Sequence, residues 1–120
     1  KFRDISSTCL KQYNRYKMNE WADFITCHGI AGDGFLQLLD PKKVQVILIH
    51  SMSTDESIID DNYSNKIYKM ANNHSVIVCG IVSQKDLKDD ILLSFRPGIK
   101  LKKEHDEWDQ NYNNILCSIS

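Results

Sequence analysis

Two stretches of the chain are apolar almost without a break: VQVILIHSM at 44–52 and SVIVCGIVS at 75–83. A strand that alternates apolar and polar residues buries one face, whereas one that does not alternate is buried on both. Both stretches therefore predict strands covered from two sides. ILLSF at 91–95 predicts a third strand, closed by RPGI, and WADFITCHGI at 21–30 predicts another, finishing at His28.

Between these runs the apolar spacing changes to three and four. STCLKQYNRYK at 7–17 sets Cys9, Leu10, Tyr13 and Tyr16 at helical intervals, with Ser7 or Thr8 available as the N-cap. GDGFLQLLDP at 32–41 reads as a short helix stopped by Pro41. DDNYSNKIYKMANNH at 60–74 opens on acidic residues, which a helix dipole favours, and carries an apolar stripe of Tyr63, Ile67, Met70 and Ala71. The glycines of GIAGDG (29–34) are in the order G-x-x-G-x-G rather than the dinucleotide order, and predict a tight strand-to-helix turn. DLKDD (86–90) and KKEHDEWD (102–109) read as exposed loops.

Strands buried on both faces and separated by helices define an α/β fold with a parallel sheet. A closed barrel of eight such units takes about 250 residues. The chain accordingly reads as the central part of a (β/α)8 TIM barrel, with about four parallel strands and their covering helices, incomplete as given and forming one partial domain over residues 1–120. An open sheet is the alternative.

Composition narrows the function classes. Hydrophobic residues make up 42% and charged ones 26%, the balance of a folded domain. Fifteen basic residues against sixteen acidic ones leave a net charge of -1, which argues against a basic face for nucleic acid. No apolar run approaches the roughly 20 residues that span a bilayer. Cys9, Cys27, Cys79 and Cys117 form no C-x-x-C pair, so reduced structural thiols and a cytoplasmic setting are expected, with no metal site. His50, His74 and His105 are too scattered to form a metal set.

Parallel α/β folds gather their chemistry at the carboxyl ends of the strands. His28, the HSMST segment and Arg96-Pro97 occupy those ends, and KFRD precedes a helix, which places it in a strand-to-helix loop as well. Lys1, Asp4, Ser53 and Pro97 are thereby aimed at one mouth. Each also has a plainer reading: a solvated charged end for Lys1 and Asp4, a hydrogen-bonded strand-end histidine for His28, turn hydroxyls for Ser53 and Thr54.

In order along the chain, these segments resemble the orotidine 5'-monophosphate decarboxylase family, including the decarboxylase half of UMP synthase. KFRDISST matches that family's D-x-K-x-x-D-I-x-x-T signature at Lys1, Asp4, Ile5 and Thr8. WADFITCHGIAGDG, SMSTDES, MANNHSVIVCGIVS, RPGIKL and DQNY resemble later segments in unbroken order. The resemblance implies decarboxylation of orotidine monophosphate without a cofactor, in a homodimer with shared sites. It implies Lys1 as proton donor, Asp4 in a network of alternating charges reaching the partner's site, and Thr8 close by. Ser53 would bond the pyrimidine edge, Pro97 would pack on the base, and Gln110 and Tyr112 would hold the phosphate. Ser6, Ser51, Asp55-Glu56, Arg96 and Asp109 depart from the family pattern. Acid beside a base loop or a phosphate opposes binding of an anion. A degenerate, non-catalytic relative acting as a binding or scaffold protein therefore stands as the alternative.

Overall fold

The computed structural model describes residues 1–87 and 92–98 and the backbone of 117–119. Its elements are α1 (Ser6–Arg15), α2 (Met18–Trp21), β1 (Phe24–Cys27), α3 (Gly34–Gln37), β2 (Gln45–Ile49), α4 (Asp61–Asn73), β3 (Val78–Val82), β4 (Leu93–Pro97) and β5 (Cys117–Ile119). The strands form one sheet in the order β1-β2-β3-β4-β5, and every neighbouring pair is parallel. Sequence order and spatial order coincide, as in a barrel wall rather than a doubly wound sheet.

The unbroken apolar runs are explained by burial on both faces. Val46 and Leu48 of β2 join Val78 and Ile81 in a core with Cys9 and Tyr13 of α1 and Ile67 and Ala71 of α4. Ile47 and Ile49 point to the opposite face, against Val82, Cys79 and Phe95. The register slips between Val46 and Ile47, so that Cys79 is left as an extra residue on β3. Gly80 follows it, where a Cβ would lie 2.6 Å from the Leu93 carbonyl oxygen and 2.8 Å from the Phe95 ring. Only glycine lets β3 and β4 approach this closely.

Several boundaries differ from expectation. α1 starts at Ser6 with Ile5 as N-cap, so Ser7 and Thr8 lie inside its first turn, and Tyr16 is the exposed C-cap. A one-turn helix, α2, precedes β1. α3 ends at Gln37, well before Pro41, which instead belongs to a turn in which the Lys42 amide donates to the Asp40 carboxylate. β4 includes Arg96 and Pro97 rather than ending before them. A fifth strand exists at 117–119, and Phe2 adds a parallel bridge to Cys27 on the other edge. α4 matches its expected span, capped by Asp60, whose carboxylate accepts from the Tyr63 amide at 2.8 Å.

Candidate active site

The carboxyl edge of the sheet begins at the Phe2 bridge. The Phe2 amide donates to the Thr26 carbonyl at 2.9 Å and the His28 amide to the Phe2 carbonyl at 2.8 Å. Phe2 is buried, packing against Phe35 and Tyr13. Strand alternation then turns Lys1 and Arg3 away from that core, and both are exposed. Burial and then the positive charges of Lys1 and Arg3 hold the His28 pKa below its usual value, which favours a neutral imidazole. Asp4 directly precedes the N-cap of α1: its carboxylate accepts from the Ile5 amide at 2.7 Å, and its carbonyl accepts from the Cys9 thiol at 3.1 Å. Thr8 is half-buried in the first turn of that helix.

At the end of β2 the chain is tied to β3. The amides of His50 and Ser51 both donate to the Val82 carbonyl, at 2.9 and 3.1 Å. The Ser51 hydroxyl accepts from the Gln84 amide at 2.7 Å, and Ser64 of α4 donates to the His50 carbonyl at 2.9 Å. These bonds fix the root of the loop that carries Ser53, which is itself exposed. His50 is 4% exposed and its Nδ1 has no hydrogen-bond partner among the described residues. Burial, reinforced by Lys85, lowers its pKa. Of the acidic pair next in line, Glu56 is engaged by the Thr54 hydroxyl, a bond that holds its carboxyl below the usual range.

At the end of β4, Arg96 is buried and paired with Asp86, while Pro97 is half-buried beside it. Asp86 is thus an ion-pair partner, and Leu87 packs on the core, so the start of the 86–90 segment is anchored rather than a free loop. Gln110 and Tyr112 lie outside the described residues, as do 102–109 and His105. Lys1, Asp4, Ser53 and Pro97 all sit at the carboxyl edge, on three different segments, and no hydrogen bond among the described residues joins any two of them. Cys27 and Cys9 are buried free thiols, and burial pushes Cys27 up to about 12, which leaves it an inert hydrophobe. No group of three or more His, Cys, Asp or Glu among the described residues is placed to hold a metal ion.

The same edge opens into a crevice of about 320 Å³, lined by residues that include Arg3, His28, Ile30, Met52, Ile59 and Tyr63. His28, Arg3 of KFRD and Met52 of HSMST lie on segments that the sequence places at this edge, whereas Ile30, Ile59 and Tyr63 have no such signal. Arg3 was the available signal, since it alternates with Lys1 across a buried phenylalanine.

Parallel strands in sequential order, with polar side chains collected at their carboxyl ends, define part of a (β/α) barrel whose site is built from strand-end loops. The model of the orotidine 5'-phosphate decarboxylase / HUMPS family matches residues 1–117, and the chain belongs to that family. Among similar proteins, the orotidine 5'-phosphate decarboxylase of Candida dubliniensis is 28% identical over 137 residues, covering 100% of this chain and 50% of that protein. That of Pachysolen tannophilus is 26% identical over 130 residues, covering 96% and 48%. That of Kodamaea ohmeri is 27% identical over 133 residues, covering 100% and 51%. The chain thus spans about half the length of the curated relatives it matches.

Proposed function

We propose that this chain forms the lysine-bearing part of an orotidine 5'-monophosphate decarboxylase, a carboxy-lyase that makes UMP for pyrimidine biosynthesis without a cofactor. The observation that carries this reading is the placement of Lys1. The Phe2–Cys27 bridge clamps the KFRDISST segment to the end of β1 and leaves the lysine on the open edge.

The chemistry demands such a cation. Breaking the bond between C6 and the carboxylate releases carbon dioxide and leaves an electron pair on C6, with no ordinary electron sink. The Lys1 ammonium, fixed beside C6, stabilises that pair electrostatically and then delivers the proton to it. Asp4 takes part in the charged network around the ammonium, in a homodimer where it reaches the partner's site, with Thr8 nearby. Ser53 hydrogen-bonds the pyrimidine edge, Pro97 packs against the base, and Gln110 and Tyr112 hold the phosphate. The enzyme works in the cytoplasm; among the described residues no helix is long and apolar enough to cross a membrane.

A non-catalytic scaffold role is the weaker reading. Lys1, Asp4 and Thr8 are all present at the signature positions. One of the two acidic departures beside the base loop, Glu56, is already bonded to Thr54 within its own turn. The test is the ultraviolet absorbance of orotidine monophosphate incubated with the full-length protein. Steady loss is expected, falling to background in Lys1→Ala; equal rates from both proteins would end the reading.

A further inference from the structure

The crevice beside the signature segment has a chemistry that the decarboxylation scheme does not use. Its walls include Ile30, Met52, Ile59 and Tyr63, and no carboxylate among the described residues lines it. Ile58 also contributes and is 98% exposed, so the apolar lining continues to the rim. Arg3 stands in the lining and makes no ion pair among the described residues. An arginine fork that meets apolar groups and a histidine among the described residues is a bidentate donor for a carboxylate. His28, held neutral, adds a hydrogen-bonding group without repelling Arg3. The volume lies at the small end of ligand pockets, which begin at about 300 Å³, enough for one ring with its substituent.

We propose that this crevice binds a small carboxylate with an apolar body, an aromatic or branched-chain acid, whose anion pairs with Arg3 while its body lies against Ile30, Met52, Ile59 and Tyr63. Charge selects the anion and the apolar lining selects the body. The aromatic face of Tyr63 favours a ring, and burial keeps its phenol protonated. The site does not involve the Lys1 ammonium in any bond-breaking step, so it stands whether or not the protein decarboxylates a nucleotide.

Calorimetric titration of the full-length protein with benzoate and with benzamide, its neutral isostere, tests the assignment. Benzoate is expected to bind roughly tenfold more tightly than benzamide, the worth of one charge-assisted bidentate pair. Arg3→Gln, at an exposed position, should erase that preference and leave the unfolding midpoint unchanged. Met52→Trp should fill the crevice and remove both affinities. Equal affinity for the two probes, or an undiminished preference in Arg3→Gln, would overturn the proposal. So would benzoate binding that appears only on dilution, because a second copy of the chain would then be the natural occupant.

Discussion

The two ends of β2 show opposite designs. Val46 and Leu48 have no exposed surface and are gripped by helices on one side, with Ile47 and Ile49 buried on the other. Just beyond, the chain carries a histidine nitrogen with no partner among the described residues, a hydroxyl bonded to the segment after β3, and then exposed Met52 and Ser53. Stability is concentrated in the strand bodies, where close packing penalises any change of volume. The proposed binding groups lie at the edge, where Lys1, Arg3, Asp4, Met52 and Ser53 are exposed. The buried strand bodies can therefore hold the edge that carries Lys1 in place.

That contrast can be broken at graded points. The largest effect is expected from Leu48→Ala, which opens a cavity in the fully buried face and should cost about 3 kcal/mol in urea unfolding. Gly80→Ala comes next. Its new Cβ would collide with the Leu93 carbonyl, a backbone atom that cannot swing aside, so about 2 kcal/mol and a loosened β3–β4 pairing by hydrogen exchange are expected. At the opposite end, Lys85→Ala removes an ion pair whose side chains are 62% and 82% exposed, and a change below about 0.5 kcal/mol is expected.

Acid offers a further way to separate the regions. His50 is buried with its folded pKa below the ordinary 6.5, so the unfolded chain binds the proton more readily. Stability from this group is complete above that ordinary value and is lost as pH falls toward the folded pKa. The urea midpoint should drop between about pH 7.5 and about pH 5.5, and His50→Leu should flatten the decline. His28 shifts in the same direction, so part of the slope should survive. An unaltered slope in His50→Leu would remove the edge histidine from the account.

Much of this architecture was legible in the residues. The non-alternating runs gave β2 and β3 because burial on both faces leaves no polar position to mark a side. α4 was clear from its acidic start and its Tyr63–Ile67–Met70–Ala71 stripe. Less legible were elements whose stability comes from neighbours. α2 is a single turn set by the left-handed Lys17 before it, a conformation that no pattern in MNEW announces. Arg96 read as a loop residue because a charge in a strand is unusual, yet Asp86 allows it to be buried there. His50 read only as part of the strand-end HSMST segment, yet it is buried, with its carbonyl accepting from Ser64 of α4. Of the candidate site, the signature segment and the edge that carries it were readable, because they are local. The crevice was not, since Arg3, Met52 and Tyr63 meet only through the fold.

The central claim is that the edge supplies chemistry while the strand bodies supply stability, with Lys1 as the proton donor. The most direct test follows Lys1→Ala in the full-length protein by two readouts at once, urea unfolding and carbon dioxide release from orotidine monophosphate. An unfolding free energy within about 0.5 kcal/mol of the parent is expected, as for other exposed positions, together with release no faster than the uncatalysed background. Release that persists at the parental rate in a normally folded Lys1→Ala protein would contradict it.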